Sequence, residues 1–252
     1  MSHLVILTGA SRGLGLAMAQ QFLMRPGTLL LGLSRKPSDA LGRSPRADGS
    51  TLEQWPQDLA DPRAATARVE AWLQARDAAA IETATLINNA ALLTPPGPME
   101  SCDATLLSDS LRVGLEAPML LCAAFLRATS TWRASKKILN ISSGLGRRAM
   151  AGSAPYCAAK AGLDNFSRAV ALDEALKRNG AKVVSLAPGV IDTDMQTQLR
   201  SADVQALPDK AMFVGLKTGG QLASPEHAAA RVIAYLDRAD FGSNPLGDVR
   251  DA

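Results

Sequence analysis

Short, unbroken apolar runs alternate along this chain with longer segments of helical period, and that alternation restricts the fold more than any other feature. The runs are Leu4–Thr8, Thr28–Ser34, Ala84–Asn88, Lys137–Ser142, Lys182–Ala187 and a weaker one near Leu246–Val249. The helical segments are Leu14–Met24, Asp61 to about Ala79, Cys102–Thr129, Ala154–Arg178 and Ser224 to about Arg238. Asp61-Pro62 and Ser224-Pro225 each place a capping side chain before a proline at the first helical position. Continuous rather than alternating apolarity fits strands covered on both faces. Strands joined through helices imply parallel pairing and a sheet with helices on either side, an α/β class. A chain of 252 residues has room for one such domain or two small ones. With 47% hydrophobic and only 4% aromatic residues, the core is expected to be aliphatic. Lys36–Pro56 is polar and reads as a loop. Residues 192–223 break the alternation and carry Met195, Leu199, Met212, Phe213 and Leu216 without an obvious core face, so a lid is expected there.

Several function classes drop out. A net charge of +3 without a basic run gives no footprint for nucleic acid. No apolar stretch approaches the roughly twenty residues of a membrane span, and no cationic segment precedes the first strand as in a signal peptide. Cys102, Cys122 and Cys157 are odd in number and lack metal or redox spacing, so buried reduced thiols in a cytoplasmic protein are expected. His3 and His227 are far apart and suggest no metal site.

Chemistry is concentrated at the ends of the strands. Thr8-Gly9-Ala10-Ser11-Arg12-Gly13-Leu14-Gly15 follows the first strand and opens the first helix. Glycines there let the backbone turn tightly and approach a pyrophosphate, and the helix N-terminus offers free N–H groups; a plain tight turn is the other reading. The second strand ends Leu33-Ser34-Arg35-Lys36, with no acid to hold ribose hydroxyls. Arg12 and Arg35 can clamp a 2′-phosphate that a carboxylate would repel, which favours NADP(H) over NAD(H); solvated loop charges are the alternative. Asn88-Asn89-Ala90-Ala91, Asn140-Ile141-Ser142-Ser143 and Pro188-Gly189-Val190-Ile191-Asp192-Thr193 end three further strands. Tyr156 and Lys160 lie four residues apart in an alanine-rich helical pattern, on one helix face. A phenol beside a fixed ammonium ionises more easily, so Tyr156 is the expected proton donor or acceptor for carbonyl or alcohol chemistry.

Taken in this order, the motifs resemble the short-chain dehydrogenase/reductase family over nearly the whole chain. The resemblance implies a single domain, residues 1–252, with a Rossmann-type doubly wound parallel sheet of about seven strands flanked by helices. It implies that Gly9, Gly13, Leu14 and Gly15 form the pyrophosphate turn. Ser11, Arg12 and Arg35 would reach the 2′-phosphate ribose, Asp58 and Leu59 the adenine, and Asn89 and Ala90 the adenosine ribose. Pro188 and Gly189 would end a strand beside the pocket, with Ile191 and Thr193 holding the nicotinamide carboxamide. Ser143 would polarise the substrate carbonyl, Tyr156 act as general acid, and Lys160 bond the nicotinamide ribose and lower the Tyr156 pKa. One departure stands out: Val113-Gly114-Leu115 has glycine where the family usually has an asparagine that helps hold a proton-relay water. Gly114 and Pro118 are expected to bend that helix and leave a carbonyl free, and an asparagine restored at 114 is expected to raise turnover.

Asp192-Thr193-Asp194-Met195-Gln196, Pro95–Met99 and the tail Gly247–Asp251 are similar to the sepiapterin reductase and benzil reductase branch. That likeness implies an NADPH-dependent reductase of a small ketone or diketone. A carboxylate at Asp251 would suit a pterin-like group; a frayed charged terminus is the other reading. A 3-oxoacyl thioester reductase and an NADP(H)-sensing binding protein stay as alternatives. Family members pair through two long helices, here Cys102–Thr129 and Ala154–Arg178, which implies a homodimer or homotetramer.

Overall fold

The computed structural model describes residues 2–251 as a seven-stranded sheet in the order β3-β2-β1-β4-β5-β6-β7, with every neighbouring pair parallel. The strands are β1 Ser2–Thr8, β2 Thr28–Ser34, β3 Thr51–Pro56, β4 Ile81–Asn88, β5 Ser135–Ile141, β6 Lys182–Ala187 and β7 Leu246–Asp248. The helices are α1 Gly13–Leu23, α2 Asp39–Gly42, α3 Pro62–Gln74, α4 Ala104–Leu111, α5 Ala117–Ala128, α6 Ala154–Ala175, α7 Asp194–Ser201, α8 Lys210–Thr218 and α9 Pro225–Leu236. The expected doubly wound fold is therefore present, and its order reverses between β1 and β4.

Side-chain alternation along the strands divides the core into two layers. Val5 and Leu7 of β1 pack with Met18 and Phe22 of α1 and with Val232 and Ile233 of α9. Leu4 and Ile6 face the opposite way, toward Val69 and Leu73 of α3 and Leu121 and Phe125 of α5. Few of these side chains are aromatic, as the composition implies.

Two segments differ from the sequence reading. Lys36–Pro56 is not a continuous loop, because it contains α2 and the edge strand β3. None of the β3 residues is fully buried, so its composition is that of a half-covered edge. Trp55 and Trp72 meet edge to face at 6.0 Å, with Glu53 accepting from the Trp72 indole. The long helix expected over Cys102–Thr129 is broken at Arg112–Glu116 by a π turn that contains the buried Gly114. Pro118 has no N–H to offer the Gly114 carbonyl in α-helical register, which accounts for the break.

Buried amides tie the layers together beneath the carboxyl ends of the strands. Asn88 Nδ2 donates to Asn140 Oδ1 at 2.8 Å, and Asn140 Nδ2 donates to Ser167 Oγ at 2.8 Å. These bonds link β4, β5 and α6. Asn140→Ala leaves the Asn88 amide and the Ser167 hydroxyl with lost partners in a dry core, so we expect about 3 kcal/mol of destabilisation. A lower urea midpoint with an unchanged slope checks this.

Candidate active site

A cleft of about 1250 Å³ opens along the carboxyl edge of the sheet. One end is bordered by the glycine turn, Arg35, Lys36, Asp58 and Leu59; the other reaches Leu92, Leu93, Met150 and Phe213. Ser143, Tyr156 and Lys160 line it, as do Asn89, Ala90, Pro188, Gly189, Ile191 and Thr193. Every residue expected to act in catalysis or to hold the dinucleotide thus borders this one space.

The glycine turn has a steric reason for its composition. Gly9 and Gly13 adopt φ of +71° and +52°, which L side chains rarely tolerate. A Cβ at Gly15 would stand 2.0 Å from the Gly9 carbonyl oxygen, so the helix can approach the turn only with glycine there. Arg12 precedes α1 without a side-chain cap on the helix amides. The free N–H groups and positive end of α1 therefore face the cleft, which suits a pyrophosphate. Asn89 braces this cradle: its Nδ2 donates to the Thr8 carbonyl at 3.0 Å and to the Gly9 carbonyl at 3.3 Å. The Thr193 methyl stands 3.3 Å from where a Gly13 Cβ would be. These features fit a dinucleotide. Arg35 and Lys36 form no ion pair among the described residues, whereas Arg12 pairs with Asp194 at 2.8 Å, both side chains largely exposed.

Tyr156 is buried on α6, and burial pushes its phenol up to about 12, with the Ser143 hydroxyl acting against that shift. The expected lowering by Lys160 is not what dominates here. Lys160 is 3% exposed, and its amine donates to the Ile141 carbonyl at 2.7 Å. Desolvation brings it down to about 8, opposed by Asp164. Asp164 was not anticipated from sequence. It lies four residues beyond Lys160, accepts from Ser185 Oγ at 2.6 Å, and faces Arg147 at 3.4 Å. An acid continuing the i, i+4 series from Tyr156 was the signal available for it.

Other expectations shift. Asp251 does not border this cleft; it lines a separate crevice of about 180 Å³ with Tyr235 and Arg238. Arg250 reaches the cleft instead, held by Asp248 at 2.6 and 2.8 Å. A Cβ at Gly114 would press on the Ala159 methyl at 3.2 Å, so an asparagine there crowds α6 rather than simply restoring a relay. Cys122 is buried, while Cys102 and Cys157 are only half-buried. No helix among the described residues is long and apolar enough to cross a membrane.

Lys160 gives the structure a pH signature. Its folded pKa lies below the unfolded value of 10.5, so the unfolded chain binds the extra proton between about pH 8 and 10.5. Stability therefore rises with pH through that window. Lys160→Met removes the effect. Its stability relative to wild type is expected to be most favourable below pH 8 and to fall by about 3 kcal/mol by pH 10.5, checked by denaturant unfolding across the range.

Comparison with known proteins agrees with the geometry. Residues 3–204 match the short chain dehydrogenase family model. Benzil reductase ((S)-benzoin forming) of Bacillus cereus is 33% identical over 245 residues, covering 97% of each chain. Sepiapterin reductase of Rattus norvegicus is 29% identical, covering 98% of this chain and 95% of that one. The crystal structure of the KRED1-Pglu enzyme superposes with a TM-score of 0.80 at 25% identity, over 98% of this chain and 100% of that one. The strand order, the glycine cradle and the Ser143, Tyr156 and Lys160 set thus occur in a chain that belongs to the short-chain dehydrogenase/reductase family, in the branch that includes benzil and sepiapterin reductases.

Proposed function

We propose that this chain is an NADPH-dependent reductase of a small ketone or diketone, with Tyr156 as the proton donor. The observation that carries the reading is the convergence of the Tyr156 phenol, the Ser143 hydroxyl and the buried Lys160 amine in a cleft with a glycine cradle at one end and apolar walls at the other. The names of the benzil and sepiapterin reductases support a carbonyl as substrate.

In this reading the bound dinucleotide supplies the hydride. Ser143 donates to the substrate oxygen and draws charge onto it. Tyr156, neutral at pH 7 and held further from ionisation by burial, keeps its proton until that oxygen becomes basic. Lys160, charged below about pH 8, stabilises the phenolate left behind and orients a ribose hydroxyl. The carbonyl oxygen of Gly114, relieved of an α-helical donor by Pro118, offers a seat for a relay water. Residues 192–223 act as a lid: they are pinned at both ends where Asp192 N–H donates to Ala223 O at 2.9 Å and Ala223 N–H donates to Val190 O at 3.0 Å. Arg35 and Lys36 select the 2′-phosphate.

Tyr156→Phe is expected to lower kcat for NADPH oxidation on a diketone about 1000-fold, within the range of a lost general acid, while NADPH Kd changes less than about threefold. Unchanged turnover would reject Tyr156 as the acid. Arg35→Asp is expected to lower the ratio of kcat/KM for NADPH over NADH about 100-fold, since it exchanges a charged hydrogen bond for repulsion. A wild-type ratio near unity would reject the cofactor assignment.

A further inference from the structure

Gln196 lies in the first turn of α7, borders the cleft, and is 7% exposed. Its Oε1 has no hydrogen-bond partner among the described residues. An amide buried without a partner is unfavourable, and native chains keep such groups where a ligand or water completes them. A half-turn of the side chain presents either the oxygen or the NH2 to the same point.

The position of Gln196 favours the substrate over the dinucleotide. Thr193, which precedes α7, packs against Gly13 of the glycine turn, and the helix leads away from there. Three residues beyond Gln196, and so on a neighbouring face, Leu199 joins the cluster of Met150, Leu207 and Phe213. Gln196 is therefore a polar group beside an apolar wall. Among other polar side chains bordering the cleft, Thr193 is paired with the Ile191 carbonyl, Asp194 with Arg12 and Arg250 with Asp248, whereas Ser142 Oγ, just beyond the end of β5, shares with Gln196 the lack of a partner among the described residues.

We propose that Gln196 is a specificity-determining residue whose amide NH2 donates to a second oxygen of the substrate, so that the site selects dicarbonyl compounds over simple ketones of the same shape. The inference rests on the reductase reading above and assigns one residue to its substrate class. A site that hydrogen-bonds a substrate group discriminates against analogues lacking it more sharply than an apolar pocket does, because its own buried group is then left unpaired.

The test uses the full chain with NADPH and three probes: 1-phenylpropane-1,2-dione, 1-phenylbutane-1,3-dione and the monoketone propiophenone. For Gln196→Leu we expect kcat/KM to fall about 10- to 100-fold on at least one dione. The inhibition constant of propiophenone against that dione should stay within about threefold. The thermal midpoint of the NADPH-free protein should not fall, because an unpartnered buried amide has been removed; a merely structural role would lower it. Equal weakening of diones and monoketone overturns the proposal, as does no change on either dione. A rise confined to the NADPH KM also overturns it, by assigning Gln196 to the dinucleotide. A wild-type chain that binds NADPH but reduces neither dione overturns the reductase reading and this inference together, whereas wild-type turnover with unaltered discrimination in the variant overturns this inference alone.

Discussion

A lysine amine enclosed beneath the end of β5 is the group around which the cleft is arranged. Lys160 has one hydrogen bond, to the Ile141 carbonyl, and a buried ammonium with so little solvation needs a nearby counter-charge. Asp164 supplies it from the next turn of α6. That carboxylate is held in turn by Ser185 on β6 and by Arg147, whose guanidinium also donates to the Gly247 carbonyl on β7. A run of polar contacts therefore starts in the amino-terminal part of α6 and crosses three strands. On the other side, Gly114 lets the π turn come close to Ala159. The helix that carries Tyr156 is fixed by these contacts as much as by its apolar face.

Much of this was legible in the chain, for reasons that differ from residue to residue. Strands covered on both faces read as continuous apolar runs, so six of the seven were recognisable; β3 was not, since an edge strand with only partial cover keeps polar residues such as Glu53 and Gln54. Glycines at positive φ and a tyrosine–lysine pair on one helix face are local signals and survived the passage to three dimensions. The balance between burial and charge did not. Adjacent Lys160 suggested an acidic phenol, yet the enclosure of Tyr156 shifts it the other way, because desolvation depends on neighbours distant in sequence. The same limit applies to Asp251, which is three residues beyond β7 and lies in a different crevice.

Arg12 shows how one side chain can serve two states. It occupies the glycine turn, where a 2′-phosphate would fall within its reach, but here it pairs with Asp194 at the start of α7. An ion pair between two largely exposed side chains is worth little, about 0–1 kcal/mol. A doubly charged phosphate competes with a single carboxylate for the same guanidinium on favourable terms. In the proposed reading, that exchange would free the first residue of α7 while residues 192–223 stay pinned at Asp192 and Ala223, and would couple the cofactor to this segment through one weak contact.

The pKa pattern is consistent with the proposed direction of reaction. At pH 7 an amine with a pKa of about 8 is mostly charged, and a phenol near 12 is fully protonated. A reductase needs a proton at hand and a cation near the site where negative charge will remain. Raising the phenol's pKa weakens it as an acid, but the oxygen it serves becomes an alkoxide as hydride arrives and is more basic still. The shift adds to the phenol's hold on its proton until that oxygen takes it. Both conditions hold at pH 7 with the pair enclosed: burial tightens the phenol's hold on its proton and still leaves most of the amine charged, so the pair suits the proposed carbonyl reduction.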